Sequence, residues 1–496
     1  MSHKPNPFDF VPFVESGPNL YPLKDFVESN NLKTGYLTVC IKALTPVHIV
    51  GDQEAVASDP KNKSKKISKK DYRITSSSFC RRKGIAFIPS STIRGCLRSF
   101  IEAATNGWVS QFTPNYEKER KKHKYGFKVD GTITGLNPRL FDTQIPSALN
   151  EQYILPHEVS DAIDVSSFLF GYTPENGKAR QGRVVIEDAP INNAGIDEDK
   201  TSQVPDILHS AFMGGPHPSA SSWWYQYPYQ IRLSNVGVDF IGSGYRGRKF
   251  YFHQNPEDCV KLYPVDEDFL NSSTEHPVYP IPIECLKSES ATDDFRIYFE
   301  EIPEPLLKIL ILALTPGSSR TECGRPTLRH KLGYGKAYGY GAIEFIITGG
   351  KIRRSSGSPE VEYIKRLQNE VISSLWDFNK FKAIGIENYL HKESLEGLAR
   401  ILWFDPSEST LFQYPPFDYG GFLPGITKSQ LKAVMDKISF EHLEKDKMIL
   451  VTRVVGKNLA RKLYQTGFRK ALHFKVYQES SDNYQKIQQR NLYNCQ

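Results

Sequence analysis

The chain has 496 residues, 39% of them hydrophobic and 24% charged, with a formal net charge of +7 at pH 7. No run of eighteen apolar residues occurs, so a transmembrane helix is not expected. The seven cysteines (40, 80, 96, 259, 285, 323 and 495) never form CxxC, which excludes a disulfide frame or a zinc site and reads as reduced thiols. The opening MSHKPNPFDFVPF has no apolar h-region, so the expected location is cytoplasmic. The length admits two or three domains or one heavily elaborated core. The positive charge is clustered: Lys61, Lys63, Lys65, Lys66, Lys69 and Lys70 crowd one run, and a second spans Lys118 to Lys128. Such runs serve either as solvated loops or as the electrostatic footprint of a polyanion binder.

The first predicted element is a strand, in which Leu37, Val39, Ile41 and Ala43 alternate with Thr38, Cys40 and Lys42. It ends at Thr45-Pro46, because proline cannot donate to a central ladder. A polar loop follows to Lys83. Ile88-Pro89-Ser90-Ser91 then opens a helix, with serine as the expected N-cap and Ile93, Leu97, Phe100, Ile101 and Ala104 as its core stripe. Arg94 and Arg98, four apart, share one face. Cations so near a helix start oppose its dipole, which suggests an anion held jointly by the free amides and the guanidinium groups.

Residues 106–165 are irregular and polar, Phe168-Leu169-Phe170-Gly171 closes a short apolar segment, and Arg183 to Ala189 reads as a strand. After an insertion over about 190–235, Val236–Ile241 and Lys249–His253 read as two strands around a glycine turn. Phe295–Glu300 is another strand, Pro303–Leu314 an apolar helix, and Ala342–Ile347 a final alternating strand. Without its insertions (about 51–83, 106–165 and 190–235) the order is βαββαβ. That is an α+β, ferredoxin-like plan of the RNA-recognition-motif type. The expected division is an N-terminal arm over 1–35, the core over 36–350, and a mainly helical, basic C-terminal extension over 351–496. The extension's basic stretch contains Arg453, Lys457, Arg461, Lys462, Arg469 and Lys470.

Before the last strand stands HKLGYGKAYGYGAIEF, where Gly333, Gly335, Gly339 and Gly341 alternate with Tyr334, Lys336, Tyr338 and Tyr340. Glycine permits close backbone approach and positive φ; lysine neutralises phosphate, and tyrosine offers a stacking face. The competing reading is a flexible hairpin whose tyrosines pack. GSGYRGRK (242–249) matches GxGxxG, but the alternating residues after it indicate a hairpin with Arg246, Arg248 and Lys249 at its tip, not a dinucleotide fold. His48 has no second histidine or cysteine at ligand or dyad spacing, which favours a structural role. Trp223-Trp224-Tyr225 is either a local apolar cluster or a stacking and packing surface.

Taken in order, four parts resemble the RAMP superfamily of CRISPR-associated RNA-binding proteins. They are Thr45-Pro46-Val47-His48-Ile49; Ile88-Pro89-Ser90-Ser91-Thr92-Ile93-Arg94-Gly95-Cys96-Leu97-Arg98; Leu169-Phe170-Gly171 with Gly182-Arg183-Val184 and Asp188-Ala189; and the glycine-rich loop. The likeness is greatest to backbone subunits of type III effector complexes. It implies contacts to guide RNA (crRNA), complementary target RNA and other effector subunits, with no membrane. By position, it assigns RNA binding to His48, Ser90, Ser91, Arg94, Arg98, Arg246, Arg248, Lys249, Gly333, Gly335, Lys336, Gly339, Tyr340 and Gly341. It also implies that the 242–253 hairpin acts as a wedge between paired bases. An aspartate between the first strand and the first helix would assist target cleavage, directly or through Mg²⁺. Asp71 is the first candidate, with Asp59 and Asp52 as alternatives. Three readings follow: a target-cleaving endoribonuclease subunit, a non-catalytic scaffold of the same complex, and a precursor guide-RNA processor relying on His48. The first two require the arginine-bearing helix start and the glycine loop to converge on one groove.

Overall fold

The computed structural model describes residues 7–57, 72–110, 159–174, 179–191, 229–234, 237–242, 247–261, 280–317, 327–353, 360–375 and 377–405, with short pieces at 153, 155–156, 203–205, 412 and 441–442. The elements used below are β1 (Phe8–Val11), β2 (Leu32–Ala43), β3 (Val50–Ala57), β4 (Tyr72–Phe79), β5 (Ile85–Ile88), α1 (Ser90–Ala104), α2 (Val165–Phe170), β6 (Val184–Ile186), β7 (Ala189–Ile191), β8 (Tyr229–Ser234), β9 (Gly237–Gly242), β10 (Arg248–Tyr251), β11 (Phe295–Pro303), α3 (Glu304–Leu314), β12 (His330–Lys331), β13 (Ala342–Ile352), α4 (Glu360–Ser373) and α5 (Lys392–Leu402).

The centre is a five-stranded antiparallel sheet in the order β6-β11-β2-β13-β12. The period-two pattern of β2 fixes which side chains face inward. Leu37, Val39, Ile41 and Ala43 are buried, and opposite them lie Ile297, Phe295, Phe345 and Ile343. The helices α1 and α3 pack on this apolar face. The helix α1 contributes Ile93, Leu97, Phe100 and Ile101, at a spacing that keeps them on one side of a 3.6-residue turn. Nearly every side chain of α3 is buried, including that of Lys308, whose ammonium reaches Glu370 on α4 at 2.9 Å. Each fully buried Leu, Ile or Phe contributes about 1.5–3 kcal/mol of apolar burial, so this face supplies most of the sheet's stability.

The observed class is mixed α+β around an antiparallel sheet. Three expectations change. First, 237–242 and 249–253 do not form a hairpin with each other: β9 pairs with β8, whereas β10 pairs with the N-terminal β1. An alternating pattern records a face but not a partner. Second, α1 begins after Pro89 with no side-chain cap from its own serines. Third, the boundaries at 35/36 and 350/351 fall within β2 and β13, and Ile364, Leu367 and Leu395 share one apolar cluster with Leu37 and Val39.

Candidate nucleic-acid interface

The glycine loop between β12 and β13 is held in one shape by its own backbone. Gly333, Gly335, Gly339 and Gly341 all have positive φ (77°, 72°, 89° and 80°), the region that L side chains avoid. Between them, Lys336–Tyr338 makes a single 3₁₀ turn. Two anchors lie in the turn after β2: Tyr334 N–H donates to His48 O at 2.9 Å and Gly341 N–H to Pro46 O at 2.9 Å. The Thr45 hydroxyl donates to Gly339 O at 2.8 Å and accepts from Ala342 N–H at 2.9 Å. From below, the buried Lys331 ammonium donates to Lys336 O at 2.9 Å. The loop is therefore pinned and not flexible, although its tyrosines pack as the competing reading expected. Sequence reasoning passed over Lys331 as a loop holder; its only signal was its place two residues before the glycine series.

The aromatic side chains of the loop turn inward. Tyr338 and Tyr340 are 2% and 5% exposed, so the ring of Tyr340 is packed and not offered to a base. Tyr334 sets its ring edge-on to His48, centroids 5.8 Å apart. Lys336 is half-buried, and its charge acts on Cys96 of α1. Burial pushes that thiol up to about 11, against the opposing pull of the Lys336 charge.

His48 does not reach the surface. Its ring bonds Glu284 O at 2.8 Å and Ser77 Oγ at 3.0 Å, and burial lowers its pKa, so it stays neutral and structural. The RNA-contact role assigned to it by position is thus corrected.

The entrance to α1 is also already satisfied. Asp188 accepts from Ser90 N–H at 2.8 Å and from Arg82 at 2.8 Å. Burial works to raise the Asp188 pKa, but the Ser90 amide and hydroxyl and Arg82 prevail and hold it below the ordinary carboxylate value. The anion expected at this helix start is thus the protein's own carboxylate, an N-cap supplied from 98 residues away. Ser91 is exposed beside it. Arg94 donates to Phe170 O, and Arg98 donates to Gly171 O at 2.9 Å and pairs with Glu102 at 2.9 Å. Both guanidinium groups therefore cap the C-terminal carbonyls of α2, where positive charge is favoured. Arg94 is nonetheless exposed, whereas Arg98 is half-buried.

The helix and the loop do meet, but not through the arginines. Cys96 neighbours Lys336, and Phe100 contacts the His330 ring at 5.3 Å. At about 100° per residue, Cys96 and Phe100 lie on the opposite side of α1 from Arg94 and Arg98. The loop therefore abuts the side of α1 opposite the one that carries the two arginines.

Of the remaining candidates, Arg248 is buried on β10, donates to Gly107 O and lies 4.8 Å from the Phe13 ring centroid. It is a packing residue and not a hairpin tip. Lys249 is half-buried, its ammonium 3.9 Å from the Phe8 ring centroid. Asp52 is exposed on β3. Arg246, Asp59, Asp71, the lysine runs at 61–70 and 118–128, Trp223-Trp224-Tyr225 and the 453–475 stretch lie outside the described residues. Among the described residues no group of three His, Cys, Asp or Glu side chains is placed to hold a metal ion.

A model of the RAMP superfamily matches residues 40–344, from β2 into β13, taking in α1, α3 and the glycine loop. The chain belongs to the RAMP superfamily. RAMP membership makes it a CRISPR-associated RNA-binding protein, of a family whose members work with RNA and other subunits in CRISPR complexes. Among curated proteins none matches the chain. In this RAMP protein no described helix is long and apolar enough to cross a membrane.

One consequence for stability arises at the loop's base. His330 is buried between Phe100 and Phe345, its Nε2 2.6 Å from Ala313 O, and burial lowers its pKa to about 4. The unfolded chain protonates this ring near 6.5 while the folded chain resists until about 4, so stability is complete above pH 6.5 and falls as pH drops through that window. The loss reaches about 3 kcal/mol for this group. Urea midpoints of His330→Leu protein between pH 7 and 4 are expected to show a shallower acid loss than wild type. An unchanged slope would remove His330 as a cause.

Proposed function

We propose that this RAMP protein is a guide-RNA-binding subunit of a type III CRISPR effector complex, built on a ferredoxin-like core. The sheet order β6-β11-β2-β13, with α1 after the first strand of the plan and α3 after the third, is the antiparallel arrangement that a βαββαβ plan requires. That arrangement supports the core assignment. The observation carrying the functional reading is the rigid glycine loop, clamped to the turn after β2 inside the matched region, with the half-buried Lys336 on it. Such a loop holds a cation on a fixed support without reading sequence, which suits a protein that leaves recognition to base pairing.

Target cleavage stays attached to Asp71, with Asp59 and Asp52 as alternatives; a carboxylate there would orient the target's own 2′-hydroxyl for in-line attack. The scaffold reading shares every contact except that one. The burial of His48 removes the acid-base group on which precursor processing would depend.

Two measurements test the proposal. A protein–RNA crosslink map of the assembled particle is expected to place guide contacts at Lys336 and Arg94. Crosslinks confined to 453–475 would reverse the reading. In the same particle, Asp71→Ala is expected to abolish cutting opposite this subunit, a loss of at least about 100-fold on the usual scale for a proton-transfer group. Undiminished cutting would transfer the role to another residue, and no cutting in wild type would favour the scaffold.

A further inference from the structure

The face of the central sheet turned away from α1 and α3 carries a row of side chains in direct register across four strands: Val185 on β6, Tyr298 on β11, Tyr36 on β2 and Lys351 on β13. Adjacent strands lie about 4.8 Å apart, so the row spans about 14 Å. It is open. Val185 is 58% exposed, Arg296 and Lys351 are exposed, and Tyr36 and Tyr298 are half-buried.

The rings of Tyr36 and Tyr298 have centroids 5.8 Å apart and planes at 57°, so they do not stack flat on one another. The Arg296 guanidinium lies over Tyr36, 4.8 Å from its centroid, and is 3.3 Å from the Tyr298 hydroxyl. Glu187 orients the Tyr298 side of the pair: its carboxylate accepts from Tyr298 OH at 2.9 Å and from the Arg296 backbone N–H at 2.9 Å. Gly349, beside the row, carries no side chain, and a Cβ there would only touch Thr38 across the strand at 3.9 Å.

The Arg296 guanidinium covers one side of the Tyr36 ring, and both tyrosines stay partly exposed on the open side of the sheet. Ring faces and a planar guanidinium are the groups on which unpaired nucleobases stack, and flanking cations suit the phosphates between them. Duplex RNA buries its base faces and offers them nothing.

We propose that this open sheet face binds single-stranded RNA, one nucleobase stacking on Tyr298 and another on the Arg296–Tyr36 pair, with Lys351 beside the linking phosphate. The inference rests on the RNA-binding reading but concerns a surface separate from the glycine loop. Because stacking is indifferent to base identity, the face would accept an unpaired guide end or a displaced target segment alike.

The test uses the full chain with a fluorescein-labelled twelve-nucleotide oligouridine and, separately, a duplex RNA of the same length, read by anisotropy. The double variant Tyr36→Ala/Tyr298→Ala is expected to bind the single strand at least about 30-fold more weakly, the product of two lost stacking contacts, with duplex affinity changed less than about threefold. The pair Tyr36→Phe/Tyr298→Phe keeps both rings, so it is expected to stay within about threefold of wild type; a loss as large as that of the alanine pair would overturn the stacking role. Wild-type affinity in the alanine pair, with or without a shift in sedimentation, would overturn the proposal and assign the face to protein contact. Lys336→Glu separates the two readings: weakened binding in that variant beside an intact alanine pair leaves the loop reading standing and this one refuted.

Discussion

Replacing Gly341 by alanine is expected to lower stability by about 2–4 kcal/mol and to disorganise the glycine loop. A left-handed backbone costs an L residue about 1–2 kcal/mol by itself. A Cβ at Gly341 would also stand 2.0 Å from Leu332 O, at a φ of +80°, where neither backbone can yield without breaking the Leu332–Gly341 and Gly341–Pro46 hydrogen bonds. Urea denaturation with an unchanged m-value measures the loss, and faster amide exchange at Leu332 and Gly341 locates it. Gly95 supplies the contrast, because it is exposed within α1 and nothing lies within 4 Å of an added Cβ. Gly95→Ala is expected to stabilise by about 0.5–1 kcal/mol through reduced unfolded-state entropy. Equal effects at the two positions would refute the conformational argument.

The second large effect is expected at Glu284, which ties the β3–β4 hairpin to the turn that anchors the loop. Its carboxylate accepts from Phe79 N–H at 2.7 Å and from both terminal nitrogens of Arg81, while its carbonyl receives the His48 ring. Truncation leaves a buried amide without an acceptor, at about 1–3 kcal/mol, and an arginine without its counter-charge. Arg81 is 32% exposed and regains water, so the charge part stays small, and Glu284→Ala is expected to cost about 2–4 kcal/mol in total. Glu284→Gln retains one acceptor for Phe79 N–H and is expected to cost about half as much. Thermal denaturation of the two variants compares them, and a glutamine variant as damaged as the alanine one would mean that charge, not hydrogen bonding, dominates.

The elements that carry the family match were legible because their signals are local. The alternation at 37–43 lies within β2, and the apolar stripe from Ile93 to Ala104 within α1. The leucine-rich run stopped by Pro316-Gly317 is α3. The glycines at 333, 335, 339 and 341 announced positive φ, and each adopts it. Partnerships were not legible. Nothing near Lys249 indicates that its strand pairs with Phe8–Val11, and nothing in the Ser90-Ser91 motif names Asp188 as its cap. The arginines spaced for one helix face do share that face, but its occupant is the end of α2, set by the chain's return at Phe170-Gly171.

The amino-acid order alone therefore determined the kind of protein: an α+β chain with an obligatory glycine loop and the motif order of the RAMP superfamily. Backbone preference and hydrophobic period act over a few residues, so they survive in one dimension. Only the tertiary structure decided which charges remain available. It neutralised Arg98 and the entrance to α1 internally, buried His48 and Tyr340, and opened the row from Val185 to Lys351. Electrostatic and hydrogen-bond partners are chosen by proximity in space, and here they come from segments up to 367 positions apart.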